Sequence, residues 1–272
     1  MKSRAKYLLM VLSLWQCICT SQAQTLASTD IEVQMGGQLG VPTAQIATGI
    51  NIQQQGNDNS IHIAQIGANQ QISGTGSVSA PIYGNRNEIT INQGDKISHA
   101  GQNAIGLAVN GDYNTMDMNQ GNDITGSSLG NDAGMHYQDL QVSGSYNSIA
   151  TSQIGQSNYA AIGITGNNNR QSLVQLGSGA TALTNITGNN NDVNTTQSGS
   201  GNHWLSVSLI GDGNAVSVNQ SGSLQNKANI SLINAGGPSS VSLIQTGGQT
   251  YSITQTCVTP SGCGTLTIKQ GN

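Results

Sequence analysis

The chain has 272 residues and a net charge of −4, with only 7% charged and 3% aromatic residues and no phenylalanine. Large aliphatic and aromatic side chains supply most of the area buried in an ordinary globular core, so that kind of core is excluded. The chain must be disordered or held by backbone ladders and polar stacks.

The sequence opens with basic Lys2, Arg4 and Lys6, an apolar run from Tyr7 to Trp15, and small residues at Ser21 and Ala23. This order predicts a secretory signal peptide over residues 1–23, taking Cys17 and Cys19 with it. The run is shorter than the roughly 20 residues a membrane span needs. Five basic and twelve acidic residues would remain, a mature charge near −7 that argues against nucleic acid. Arg86, Lys96, Arg170, Lys227 and Lys269 lie too far apart in sequence for a polybasic membrane face.

Residues 24–45 fit the pattern that follows poorly, and residues 46–272 are organised by a repeat. Seven segments read Gly-x-x-Asn-x-x-x-x-x-Gln: Gly56/Asn59/Gln65, Gly84/Asn87/Gln93, Gly111/Asn114/Gln120, Gly144/Asn147/Gln153, Gly166/Asn169/Gln175, Gly188/Asn191/Gln197 and Gly211/Asn214/Gln220. An eighth keeps the spacing as Gly236/Ser239/Gln245, and a last segment keeps only Gln270. Between Asn and Gln the alternate positions are mostly apolar, as in Ile61 and Ile63, Ile89 and Ile91, or Met116 and Met118. A period of two is the strand period, so Asn, the apolar pair and Gln share one face. Glu88 and Asp117 fall on the other.

A second alternating run closes each repeat: Val78/Ala80/Ile82, Ile105/Leu107/Val109, Gln138/Leu140/Val142, Ala160/Ile162/Ile164, Ala182/Thr184/Ile186 and Leu205/Val207/Leu209. Strand, turn, strand, turn in 22 residues predicts an all-β fold: a β-solenoid of about nine coils forming two facing parallel sheets. The longer repeats place their surplus after Gln-x-Gly, in turns at 68–76, 95–101 and 122–132. Recurring insertions at one turn project from one edge. Stacked coils repeat every 4.8 Å or so, and a Gln in each coil then bonds the Gln above and below, which makes the Asn, Ser and Gln columns a candidate self-assembly ladder. Asp58, Asp112, Asp192 and Asp212 are read as turn residues, or as like charges that stack and slow assembly.

Cys257 and Cys263 flank Pro260 and Gly262, which suits a local disulfide in an oxidising compartment; two free thiols are the alternative. His62, His99, His136 and His203 lie apart in sequence, with no metal-ligand spacing, nucleophile elbow or phosphate loop. Neither catalytic residues nor a cofactor are expected.

Ser148 to Gln153-Ile154-Gly155, running on to Asn158-Tyr159-Ala160, and Asn226-Lys227-Ala228 resemble the curlin repeat of bacterial curli subunits. The likeness covers residues 46–272. It departs from the family in replacing the second-strand Gln by Ile164 or Leu232, and the first-strand Ser by Asn. The resemblance implies a structural subunit of an extracellular amyloid fibre, a fimbrium at the bacterial surface serving biofilm and adhesion. Its partners would be copies of itself, a nucleator subunit and an outer-membrane secretion pore, with residues 24–45 as the export tag. The alternative is a secreted or cell-surface β-solenoid adhesin that does not polymerise and binds through the inserted turns.

Overall fold

A computed structural model describes residues 30–36, 49–50, 52–66, 71–73, 80–94, 103–121 and 134–271. The expected signal peptide and the inserted turns at 95–101 and 122–132 lie outside these residues.

Every described element is a strand, and every pairing is parallel. One sheet stacks ten strands: β1 (Asp30–Gly36), β4 (Ser60–Ile66), β7 (Glu88–Gln93), β9 (Thr115–Gln120), β11 (Ser148–Gln156), β13 (Arg170–Ser178), β15 (Asp192–Gly199), β17 (Ala215–Ser221), β19 (Ser239–Thr246) and β21 (Gly264–Gln270). The other stacks nine rows. Its first is β2 (Gly49–Ile50) with β3 (Ile52–Gln55), and its second is β5 (Gln71–Ser73) with β6 (Ala80–Tyr83). Seven single strands follow: β8 (Ala104–Asn110), β10 (Tyr137–Ser143), β12 (Tyr159–Thr165), β14 (Thr181–Thr187), β16 (Trp204–Ile210), β18 (Lys227–Asn234) and β20 (Thr250–Cys257). From row to row the chain alternates between the sheets, which is the two-sheet β-solenoid that the spacing predicts.

The core lies between the sheets. In the first, Ile61, Ile89, Met116, Ile149, Val193, Val216 and Val241 belong to one buried column, interrupted by Gln171, and Ile63, Ile91, Met118, Leu173, Val218 and Leu243 to the next, interrupted by Thr151 and Thr195. In the second, Leu107, Leu140, Ile162, Val207 and Ile230 are buried against them. The shared register brings mostly like onto like, so short aliphatic side chains pack without aromatic filler. Glu88 and Asp117 are exposed, as their parity requires.

Four expectations are corrected. Residues 30–36 are not outside the repeat, since β1 pairs with β4 in register from Asp30↔Ser60 to Gly36↔Ile66. The second strand of the first repeat is not Val78/Ala80/Ile82 alone. Ile72 takes the place opposite Ile105 and Ile82 the place opposite Val109, so the insertion interrupts the strand after Ser73. Gly236 is not the eighth corner glycine. Ile210 pairs with Ile233, so Asn234 follows Gly211 in that column, and the eighth turn runs two residues longer than the seventh. The aspartates do not stack: Asp112 and Asp212 accept from the Asn85 and Asn189 amides at 2.6 and 2.7 Å, whereas Asp192 begins a strand 3.6 Å from Arg170.

Candidate functional site: amide ladders and the ends of the stack

The corner glycines keep the rows in step. Gly166 has φ of 130°, and a Cβ there would lie 1.9 Å from the Gly188 carbonyl oxygen of the next row. Only glycine permits both that conformation and that approach. The next corner positions hold Asp58, Arg86, Tyr113, Tyr146, Asn168 and Asn190 in the left-handed region, with φ from 54° to 61°.

With the turns fixed, the Gln side chains align. Nε2 of each donates to Oε1 of the next from Gln65 through Gln93, Gln120, Gln153, Gln175, Gln197 and Gln220 to Gln245, at 2.7 to 2.9 Å. All eight are buried. From Gln120 onward the second Nε2 proton crosses to the opposite sheet, to the carbonyls of Ala104, Tyr137, Tyr159, Thr181, Trp204 and Lys227 at 3.0 to 3.2 Å. One amide thus ties neighbouring rows and facing sheets together. Each bond nets about 1 kcal/mol, while an abandoned buried partner costs about 1–3 kcal/mol, so the ladder stabilises mainly as an unbroken series.

The Asn column does the same at the other edge. Oδ1 of Asn59, Asn87, Asn114, Asn147, Asn169 and Asn191 accepts the backbone N–H and Nδ2 of the next Asn, ending at Asn214, with backbone bonds of 2.8 to 3.0 Å. Nδ2 of Asn147 also donates to the Gly166 carbonyl at 2.9 Å. Ser239 has no amide. Asn214 Oδ1 instead accepts from the Ser239 N–H at 3.2 Å and from Asn234 Nδ2 at 3.1 Å, so the residue at the altered corner supplies the missing donor.

Gln270 departs from the expected ladder. It stands beside Gln245 in register, yet Gln245 Nε2 turns to the Lys227 and Gln249 carbonyls, and Gln270 Oε1 has no partner. At the opposite end Gln65 Oε1, in a residue 2% exposed, is also unpartnered among the described residues.

The second sheet has a polar column of which the sequence shows only Asn158 and Asn226, each the Asn of an Asn-x-Ala run. The residues immediately before its strands are Asn103, His136, Asn158, Ala180, His203 and Asn226, all buried. Asn103 Oδ1 accepts from the His136 N–H at 3.1 Å, His136 Nδ1 from Asn158 at 3.3 Å, Asn158 Oδ1 from Ala180 at 3.0 Å, and His203 Nδ1 from Asn226 at 3.2 Å. His203 Nε2 lies 2.8 Å from the Ser198 carbonyl, which assigns its proton to Nε2. The alternation of Asn, His and Ala hides the column in sequence. The buried Thr151 hydroxyl donating to Gln138 Oε1 at 2.9 Å was equally illegible there.

Cys257 and Cys263 form a disulfide, with Cα atoms 5.5 Å apart. Outside, Arg86 lies between Asp58 and the Tyr113 ring, and Tyr113 stacks on Tyr146 at 4.8 Å. Tyr137 stacks on Tyr159 at 5.4 Å, on the outer face of the second sheet. Beside this pair a shallow groove of about 470 Å³ runs over Asp139, Gln141, Ala161, Gly163 and Asn185. Burial holds the Asp139 carboxyl above the ordinary carboxylate range, and burial with Asp139 and Tyr159 nearby raises the Tyr137 phenol. Among the described residues no three His, Cys, Asp or Glu gather as a metal site. No family model, curated protein or solved structure matches the chain.

Proposed function

We propose that this protein is the structural subunit of an extracellular, curli-like amyloid fibre that grows by head-to-tail stacking of solenoids. One observation carries the reading. The Gln ladder continues through eight rows and, among the described residues, leaves the Gln65 acceptor at its first member unpaired, so a further row of the same kind completes it. Exposed strand edges at both ends of a stack are templates for more strands, and a contact between unlike ends is open-ended. The curlin resemblance supplies the rest of the proposal: secretion, a place in the biofilm matrix, a nucleator and an outer-membrane pore as partners. X-ray fibre diffraction of the chain without residues 1–23, after quiescent incubation near neutral pH, tests it. Ordered fibres with reflections near 4.8 and 10 Å are expected.

A monomeric solenoid adhesin is the second reading. The exposed Tyr137–Tyr159 stack favours it, because β10 begins five residues after the 122–132 insertion. A chain that stays soluble, monomeric and rich in β-structure in that experiment moves the assignment there.

A further inference from the structure

The first and last described strands, β1 and β21, lie in the same sheet, which therefore has ten rows against nine. When two copies stack in continuous alternation, β21 of the leading copy must be followed by a row of the second sheet, namely β2 and β3 of the next copy. The slot against β4 is then already filled by β21, and β1 of the incoming copy has no place. If both strands stayed, the second sheet would lack one row at every joint.

From these counts we propose, resting on the fibre reading above, that subunits join by strand exchange: β21 of one copy displaces β1 of the next and pairs with its β4. The registers make the two strands equivalent. Ile31, Val33 and Met35 pair with Ile61, Ile63 and Gln65, and Leu266, Ile268 and Gln270 pair with Val241, Leu243 and Gln245. They differ in polarity at one inner position. Met35 carries no amide, whereas Gln270 does, and the atom awaiting a donor is the buried Gln65 Oε1. β21 is also incomplete by itself: Leu266 is 39% exposed, while Val241 in the row before is 1% exposed. The row that would cover it is β2 and β3 of the incoming copy, where Ile52 is only partly buried. β1 is thus a stand-in that covers the growth face of the free subunit, and its removal is a step of assembly.

Cysteine pairing between single-cysteine variants of the full chain, taken to fibres and oxidised, distinguishes the joints. Exchange puts Thr267 of one copy beside His62 of the next, by the same columns that align Thr267 with Ser242 and His62 with Glu32. Adjacent rows lie within disulfide reach, while two rows, roughly 9.6 Å, do not. A mixture of Thr267→Cys and His62→Cys subunits is expected to give intermolecular dimers, and Thr267→Cys with Glu32→Cys none. The reverse result overturns the exchange but keeps head-to-tail stacking. Fibres that give neither dimer overturn the exchange together with the stacking geometry, and a chain that forms no fibres overturns the function on which it rests. A Glu32→Cys/His62→Cys variant, oxidised as a monomer, adds a kinetic readout: locking β1 should abolish elongation, and unchanged elongation rejects the stand-in role.

Discussion

The two sheets solve one problem in different ways. The first closes both ends of its inner face with amides, Asn at one edge and Gln at the other, each bonded to its like in the neighbouring rows. The second relies on aliphatic columns and a mixed Asn, His and Ala column. An inward amide is safe only where every row repeats it, because the partner left behind loses its bond when one row defaults. The first sheet accordingly tolerates little substitution at Gln. The second accepts Ala180 between Asn158 and His203: the Ala180 N–H still donates to Asn158 Oδ1, and the column resumes between His203 and Asn226.

Perturbations can be ranked by which part of this division they attack. Gly166→Ala strikes the turn that holds both sheets in step; with a carbonyl 1.9 Å from the new Cβ, it should cost more than about 4 kcal/mol in urea unfolding. Gln175→Leu attacks the first sheet alone. It strands Gln197 Oε1 and removes one acceptor of Gln153 Nε2, for an expected loss of about 2–4 kcal/mol by the same measurement. Asn158→Ala is the matching change in the second sheet. The Ala180 N–H loses its acceptor, and about 1–2 kcal/mol should follow. A loss equal to that of Gln175→Leu would erase the contrast between the sheets.

The smallest effect concerns the outer face. Burial penalises ionised Asp139, so its folded value lies above the unfolded one. The carboxyl is harmless when protonated, below about pH 4, and destabilises as pH rises through the folded value. Asp139→Asn should therefore stabilise the fold slightly at neutral pH, by less than about 1 kcal/mol after solvent screening, and leave the melting temperature unchanged near pH 3.

The alternation of Ile61 and Ile63 about a polar face, and the fixed step from Asn59 to Gln65, made the first sheet and its ladders legible in sequence, because each column repeats one residue type. Where a column mixes types the signal vanishes, which is why Asn103, His136 and His203 were not grouped. β1 was hidden for a related reason: Met35 occupies the Gln position, and nothing before it marks a corner. In the first repeat both Ile72 and Val78 continue the alternation up to Ile82, so periodicity alone could not choose the residue opposite Ile105. The shift of a corner from Gly236 to Asn234 is an exchange of roles that only spatial neighbours reveal.

The 22-residue step between Gln153, Gln175 and Gln197 also bears on how such a gene can change. Excising residues 166–187 would rejoin Thr165 to Gly188, restoring the Thr-Gly junction found at Thr187, and would set Gln153 against Gln197 with no column disturbed. Deletions inside a strand shift its side chains out of their columns, whereas the turns already absorb steps of 28, 27 and 33 residues between Gln65, Gln93, Gln120 and Gln153. Length should therefore vary in the turns or in whole rows, the latter gained and lost by recombination between similar segments, so that copies of unequal length still present the same two ends.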